Sequence, residues 1–331
     1  MEAVNIYMLL FLGILSFGLT YLIRFVAIKR NVIDIPNERS SHTQPTPRGG
    51  GLAIVICWFL GLVYLFIQGE IEDKLFYALL SGIILAIIGV LDDIYSLQPK
   101  VRLTAQAFTA ILAIYFLNGF NLQILTNQGE LVTVTISIIA VIGIIWFINL
   151  YNFLDGIDAY ASLEGIFIAL SIYFLTGGSY LLVLVASILG FLIWNWPKAK
   201  IFMGDVGSTQ LGFILIVIGI HLHNSQQLNI TAWLILASLF WFDASLTLFR
   251  RWKNKEKLSQ AHKKHAYQRS VQAGFSHLKT DIFALILNIL LFILAFGALK
   301  TPEFQFLFLI VAILLLFFVV LRIDKIFPFE N

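Results

Sequence analysis

The amino-acid sequence predicts an all-α, polytopic membrane protein, and three observations carry that prediction. Hydrophobic residues make up 59% of the 331 residues and charged residues only 12%, against roughly 25% in an average soluble protein. The apolar residues gather into long runs, many near the ~20 residues that a helix needs to cross a bilayer core. The bases fall almost wholly in alternate loops, the pattern that orients a multi-pass protein. Charge this sparse cannot cover an aqueous surface, which excludes a soluble domain, a disordered chain and a nucleic-acid-binding module. The single cysteine, Cys57, excludes an intramolecular disulfide.

Eleven spans are expected, at 4–28, 50–69, 75–91, 103–118, 132–149, 160–176, 179–196, 208–222, 230–249, 281–299 and 304–321. Short polar loops join them, with no linker, repeat or low-complexity segment. Residues 1–331 therefore read as a single membrane-embedded domain. The first run lacks a basic flank and a small-residue cleavage site, so it reads as a mature helix rather than a signal peptide. The loops 29–49, 92–102, 150–159, 197–207, 250–280 and 322–331 hold nineteen of the 22 Lys and Arg residues. The opposite loops hold only Lys74 and Lys300, and Arg24 lies inside the first span. The positive-inside rule puts the first set in the cytoplasm, the N-terminus outside and the C-terminus inside. On the outer side, 119–131 reads as a small hairpin around Asn127-Gln128-Gly129.

Six carboxylates sit at or within the cytoplasmic ends of spans: Asp92, Asp93, Asp155, Asp158, Asp205 and Asp243. One alone would mark a helix end at the water boundary. Six on one face, each costly in lipid, point to a site. Asp92 and Asp93 are adjacent and repel each other unless a cation or base offsets them. Paired carboxylates suit Mg²⁺, which takes hard oxygen ligands and bridges to phosphates. Asn149, Asn152, Asp155 and Asp158 recur every three residues and share one face if helical, with Gly156 free to break the helix. In Lys200-Ile-Phe202-Met-Gly204-Asp205-Val-Gly207-Ser208, glycines flank an acid, and Ser208 or Thr209 is placed to cap the next helix. A helix N-terminus there offers N–H groups to phosphate oxygens. The loop 36–51 ends in Pro45-Thr-Pro47-Arg48-Gly49-Gly50-Gly51, which lets the backbone lie against a neighbour as the second helix begins. Its Arg39, His42 and Arg48 are anion donors.

The longest polar stretch, 250–280, carries nine bases against one acid, Glu256. Most of these fit the orientation signal and attraction to lipid headgroups. Within it, His262-Lys-Lys-His265-Ala-Tyr267-Gln-Arg269 reads as a phosphate-binding cluster. Zinc is disfavoured, because no cysteine or acid stands close by in sequence to complete its ligand set.

These five motifs, in this order and on alternate loops, resemble those of the polyprenyl-phosphate N-acetylhexosamine-1-phosphate transferases, over roughly residues 1–325. The resemblance implies transfer of a sugar-1-phosphate from a UDP-N-acetylhexosamine to undecaprenyl phosphate at the inner membrane, with release of UMP. It implies Mg²⁺, or Mn²⁺, as cofactor. Asp92 and Asp93 match the paired catalytic acids, and Asp205 and Asn152 match the metal site. Asp155, Asp158, Phe202, His262, His265 and Arg269 match donor-binding positions, with Arg48 and Lys100 as further substrate-binding bases. Two departures stand out. Asp158 is followed by Ala159-Tyr160 where the family usually continues with glycine, and the basic loop lacks three consecutive histidines. The loop looks more like the O-antigen-initiating branch that uses UDP-FucNAc or UDP-QuiNAc, which disfavours a muramyl-pentapeptide donor and leaves GlcNAc and 6-deoxy sugars open. Monomer and homodimer also stay open. The rival is a transporter or flippase that binds lipid phosphate without chemistry. A transporter places acids near the midplane and in paired repeats, and neither is visible in this sequence.

Overall fold

The computed structural model describes residues 5–36, 44–121, 130–258, 260 and 262–329. The core of the expected hairpin, 122–129, and the bases Arg39 and His42 lie outside these residues. The chain is helical almost throughout. In order, the helices are α1 (Ile6–Lys29), α2 (Gly51–Ile67), α3 (Asp73–Leu80), α4 (Ile83–Tyr95), α5 (Pro99–Phe116), α6 (Glu130–Phe153), α7 (Tyr160–Thr176) and α8 (Ser179–Asn195). They continue with α9 (Asp205–Asn224), α10 (Ile230–Leu236), α11 (Ser238–Lys253), α12 (Ala266–Gln272), α13 (His277–Lys300) and α14 (Gln305–Ile326). Two short strands, β1 (Ile33–Asp34) and β2 (Thr46–Pro47), pair antiparallel.

Each of the eleven apolar runs forms a helix or a pair of helices. Among the described residues, six helical segments are long and apolar enough to cross a membrane, or seven if the pair α10–α11, bent by 76°, counts as one. One of the six is α3 with α4. The helices α2, α7 and α8 are apolar but shorter, at 17 residues each. Caps set several boundaries. Asn5 accepts from the N–H groups of Tyr7 and Met8 to start α1, Pro99 stands at the first position of α5, and Ser276 accepts from the Lys279 N–H to start α13.

Burial separates the helices by role. α1 and α14 turn most of their apolar residues outward, with Leu10, Phe11, Ile14, Leu314 and Phe318 all exposed, as helices bathed in lipid do. α9 is almost wholly buried and packs against α2, α4 and α6. It is the axis of the bundle. Its first turn is approached closely by α4 because Gly89 has no side chain: a Cβ there would sit 2.5 Å from Val206 Cα. The Pro-Thr-Pro-Arg-Gly-Gly-Gly run docks on the segment leading into α9. Phe202 N–H donates to Pro47 O (2.8 Å), and the N–H groups of Gly50 and Gly51 donate to Phe202 O (2.9 Å) and Met203 O (2.8 Å). The neighbour that the glycines were expected to approach is thus another motif of the same chain.

Gly89→Val should force α4 away from α9, an overpacking cost of about 1–3 kcal/mol. A lowered melting temperature in detergent is the expected outcome, and an unchanged one would show that the two helices do not touch there.

Candidate active site

The last turn of α4, the start of α5, the end of α6, the start of α9 and the 254–265 loop meet at one end of the bundle. Asp93 is buried, and its carboxylate accepts from the N–H groups of Asp205 (3.1 Å) and Val206 (3.4 Å). This is a cap supplied from another helix. It satisfies N–H groups that a helix start leaves open, in the field that favours negative charge. Gly204, at φ 76°, makes room, because a Cβ there would lie 2.6 Å from Asp93 Oδ2. The expected phosphate-binding N–H groups of α9 are therefore already partly engaged by Asp93. Ser208 and Thr209 do not cap the helix. Ser208 Oγ donates to Asn152 Oδ1 (2.6 Å), and Thr209 Oγ1 donates to Asp205 O (2.6 Å).

Asp92 is also buried. It accepts from the Leu97 N–H (2.6 Å) and from Arg102 Nη1 (2.9 Å). The same Arg102 nitrogen lies 3.1 Å from Asp205 Oδ2, so one guanidinium bridges two motifs more than a hundred residues apart. Arg48 Nη2 donates to the Asp93 carbonyl (2.7 Å). A cavity of about 460 Å³ opens beside this network, lined by Arg102, Asn149, Asn152, Asp205, His262 and His265 among others.

The histidine loop forms the far wall. His262 Nδ1 accepts from the Lys264 N–H (3.2 Å), which places the ring proton on Nε2. Burial, then the neighbouring charges of His265 and Arg251, push its pKa down to about 3. At neutral pH it is an uncharged donor. His265 is buried at the head of α12, and its ring centre is 4.8 Å from that of His262.

The other expected site residues do not line this cavity. The polar stripe of α6 breaks because the helix ends at Phe153. Asn149 and Asn152 stay on it, and Asn149 donates to Gln106 Oε1 (2.7 Å). Asp155 follows in the turn, half-buried. Burial foremost, then the charges of Asp205 and Asp93, push its pKa up to about 8. Asp158 is swung aside, accepting from the Ala199 N–H (3.2 Å) and pairing with His277 Nδ1 (3.1 Å), so it ties the turn to its neighbours. Phe202 is half-buried, with its main chain paired to Pro47 and Gly50. Arg269 is buried behind the loop. It donates to Asp324, which Arg250 also holds, and to Phe327 O (3.1 Å). Lys100 is exposed one turn before Thr104. Sequence reasoning missed Arg102 and Asp324. The signal for Arg102 was Pro99, which fixes the start of α5 and so the direction of its first turn.

Among the described residues, no three acids or histidines already stand as a metal-holding group. Mg²⁺ does not require one, since it binds through one or two carboxylates, waters and substrate phosphates. Asp205 and Asn152 bring hard oxygens to the cavity wall, and the charges of Asp205 and Asp93 add to the burial that raises the pKa of Asp155. The donor set fits such a cation.

A lipid-facing helical bundle with acids, amides and histidines around one cavity at a helix-end boundary defines a membrane enzyme that handles anions. Residues 75–223 match the family described as glycosyl transferase family 4. The chain is 31% identical to a probable undecaprenyl-phosphate N-acetylglucosaminyl 1-phosphate transferase of Bacillus subtilis, over 90% of this chain and 86% of the other. It is 29% identical to an undecaprenyl-phosphate alpha-N-acetylglucosaminyl 1-phosphate transferase of Thermotoga maritima, over 92% and 94%. It is 27% identical to a decaprenyl-phosphate N-acetylglucosaminephosphotransferase of Mycobacterium tuberculosis, over 88% and 81%. The chain belongs to glycosyl transferase family 4, as its five motifs imply.

Asp155 binds its proton more tightly folded than unfolded, so its contribution to stability fades as pH rises from about 4 to about 8. Asp155→Asn should therefore raise the melting temperature at pH 8 in chelator-treated protein and leave it unchanged at pH 4. Equal effects at both pH values would contradict the raised pKa of Asp155.

Proposed function

We propose that this protein transfers a HexNAc-1-phosphate from a UDP-N-acetylhexosamine to undecaprenyl phosphate, giving the lipid diphosphate sugar and UMP. The carrying observation is the bridge from Arg102 to Asp92 and Asp205 beside a cavity that His262 and His265 close. Both substrates are anionic, so bases and a cation must offset them before one phosphate oxygen can reach another phosphorus. Asp205 and Asn152 would hold Mg²⁺, or Mn²⁺, which when bound neutralises the donor diphosphate. Arg102 turns from the acids to the phosphates. His262 Nε2–H and His265 hold the donor's diphosphate from the opposite wall. A lipid phosphate oxygen then attacks the β-phosphorus, the bond to the bridging oxygen breaks, and UMP leaves. Asp92 and Asp93 orient rather than attack. Both carboxylates are buried and hydrogen-bonded, which favours direct in-line transfer over an aspartyl-phosphate.

A second cavity, of about 290 Å³, is also walled by α6 and α11, and is lined by Phe120, Trp146, Phe147, Trp233 and Trp241 among others. Its apolar walls suit a polyprenyl chain whose phosphate enters the polar cavity. The named relatives favour a GlcNAc donor, and the shortened histidine motif keeps a 6-deoxy sugar as the second reading. All eleven segments span the inner membrane, with the N-terminus outside and the site on the cytoplasmic face. The product begins a cell-envelope polysaccharide, with O-antigen as one destination. Flipping without chemistry is disfavoured, because the acids gather at one end of the bundle.

Sealed membrane vesicles test function and orientation together. Inside-out vesicles should release UMP from a UDP-N-acetylhexosamine, dependent on undecaprenyl phosphate and a divalent cation, and right-side-out vesicles should not. No UMP from any donor would contradict the transferase reading, and release from right-side-out vesicles alone would reverse the topology.

A further inference from the structure

Asp243 was singled out in the sequence with the other membrane acids, yet the transfer chemistry gives it no task. It lies on α11 beyond the bend and is buried. Both its oxygens accept from the Ala266 N–H, at 2.9 and 3.0 Å, and Thr247 Oγ1 donates to it at 3.2 Å. The His265 Nδ1 stands 3.8 Å from Asp243 Oδ1. That nitrogen is buried and has no hydrogen-bond partner among the described residues, while the same ring lines the polar cavity. The ring cannot swing freely. It lies parallel to Tyr267 at 6.0 Å, Tyr267 stacks on Tyr160 at 5.0 Å, and the His262 ring stands tilted against it at 4.8 Å. Among the described residues, no other carboxylate oxygen stands within 4 Å of Nδ1.

We propose that Asp243 is a positioning residue that acts through His265, pinning the head of α12 and taking the Nδ1 proton so that Nε2 is directed at the donor's diphosphate. The inference rests on the transferase reading for the identity of the ligand. A carboxylate behind an imidazole fixes its tautomer and supports its cationic form. In that form His265 adds a charged donor opposite Arg102, where His262 is neutral. Other charged or titratable groups surround the pair. They are Tyr160 on α7, Arg251 on α11, Tyr267 and Arg269 on α12, Asp281 on α13, and His262 with Glu256 and Lys264 on the loop. Arg269 is already committed to Asp324, which leaves Asp243 as the carboxylate nearest His265 Nδ1.

The test uses the full chain in detergent with uridine diphosphate as the probe. Asp243→Asn keeps the shape and removes the charge. UDP binding at pH 7.5 should weaken about tenfold, and the pH above which binding is lost should fall by about one unit. His265→Gln should weaken binding similarly, and the double variant should be no worse than either single, as expected for residues acting as a unit. Additive losses with an unmoved pH profile would mean that Asp243 only supports the fold, and would overturn the proposal. Nitrogen-15 spectra of histidine-labelled wild-type protein give a reading that no folding defect can obscure. A protonated His265 Nδ1 is expected from pH 6 to 9, and a bare Nδ1 overturns the proposal. If the wild type released no UMP from any UDP-sugar, the transferase reading would fail, while the UDP-binding cycle would still report on the Asp243–His265 coupling.

Discussion

A carboxylate taken out of water needs donors, and Asp93 finds them in the first two N–H groups of α9. Much of the site is organised around that contact. It fixes the end of α4 against the start of α9, which requires Gly89 and Gly204 to lack side chains. It sets Asp205, the first residue of α9, on the wall of the cavity, and it leaves Asp92 facing Arg102. The glycine run before α2 then docks on Phe202 and Met203 and holds the lead-in to α9 from the other side. A polar centre is thereby built from main-chain bonds and short side chains at the end of helices whose remaining length is apolar.

The division of labour follows from the solvent. Exposed apolar residues of α1 and α14 cost little in lipid, so the outer helices need no polar face, and the polar residues concentrate where water and lipid meet. Acids gather there around Arg102 and Arg48, and burial foremost, with the charges of Asp205 and Asp93, raises the pKa of Asp155. The C-terminal segment supports the opposite wall. Asp324 joins Arg250 and Arg269, while the ring of Phe329 lies under Arg250, Lys264 and Arg269.

The helices were legible in the sequence because lipid removes the ambiguity of amphipathic patterns: a long apolar run between polar loops is a helix. The bends were not. The breaks at Ser81-Gly82 and Ala237, like the end of α6 at Phe153, depend on what packs beside them. Asp92, Asp93, Asn152 and Asp205 were legible as a cluster, because acids are too costly in a membrane to lie there without purpose. Asp158 and Arg269 stand apart from the cavity, which the sequence does not show, for a physical reason. A charged group in a polar loop has the same spacing whether it faces a ligand or a structural partner, and His277 and Asp324, which claim these two, lie 119 and 55 residues away. Arg102 was hidden among bases that only orient the chain.

The central claim is that Asp205 and Asn152, with Asp92 and Asp93 behind them, hold a single divalent cation where the donor's diphosphate binds. Electron paramagnetic resonance of Mn²⁺ titrated into the purified protein with uridine diphosphate measures this most directly. One bound Mn²⁺ per chain is expected, displaced by Mg²⁺ and lost in Asp205→Asn, while Asp158→Asn keeps it. Binding that survives Asp205→Asn unchanged, or that needs Asp158 instead, would contradict the site.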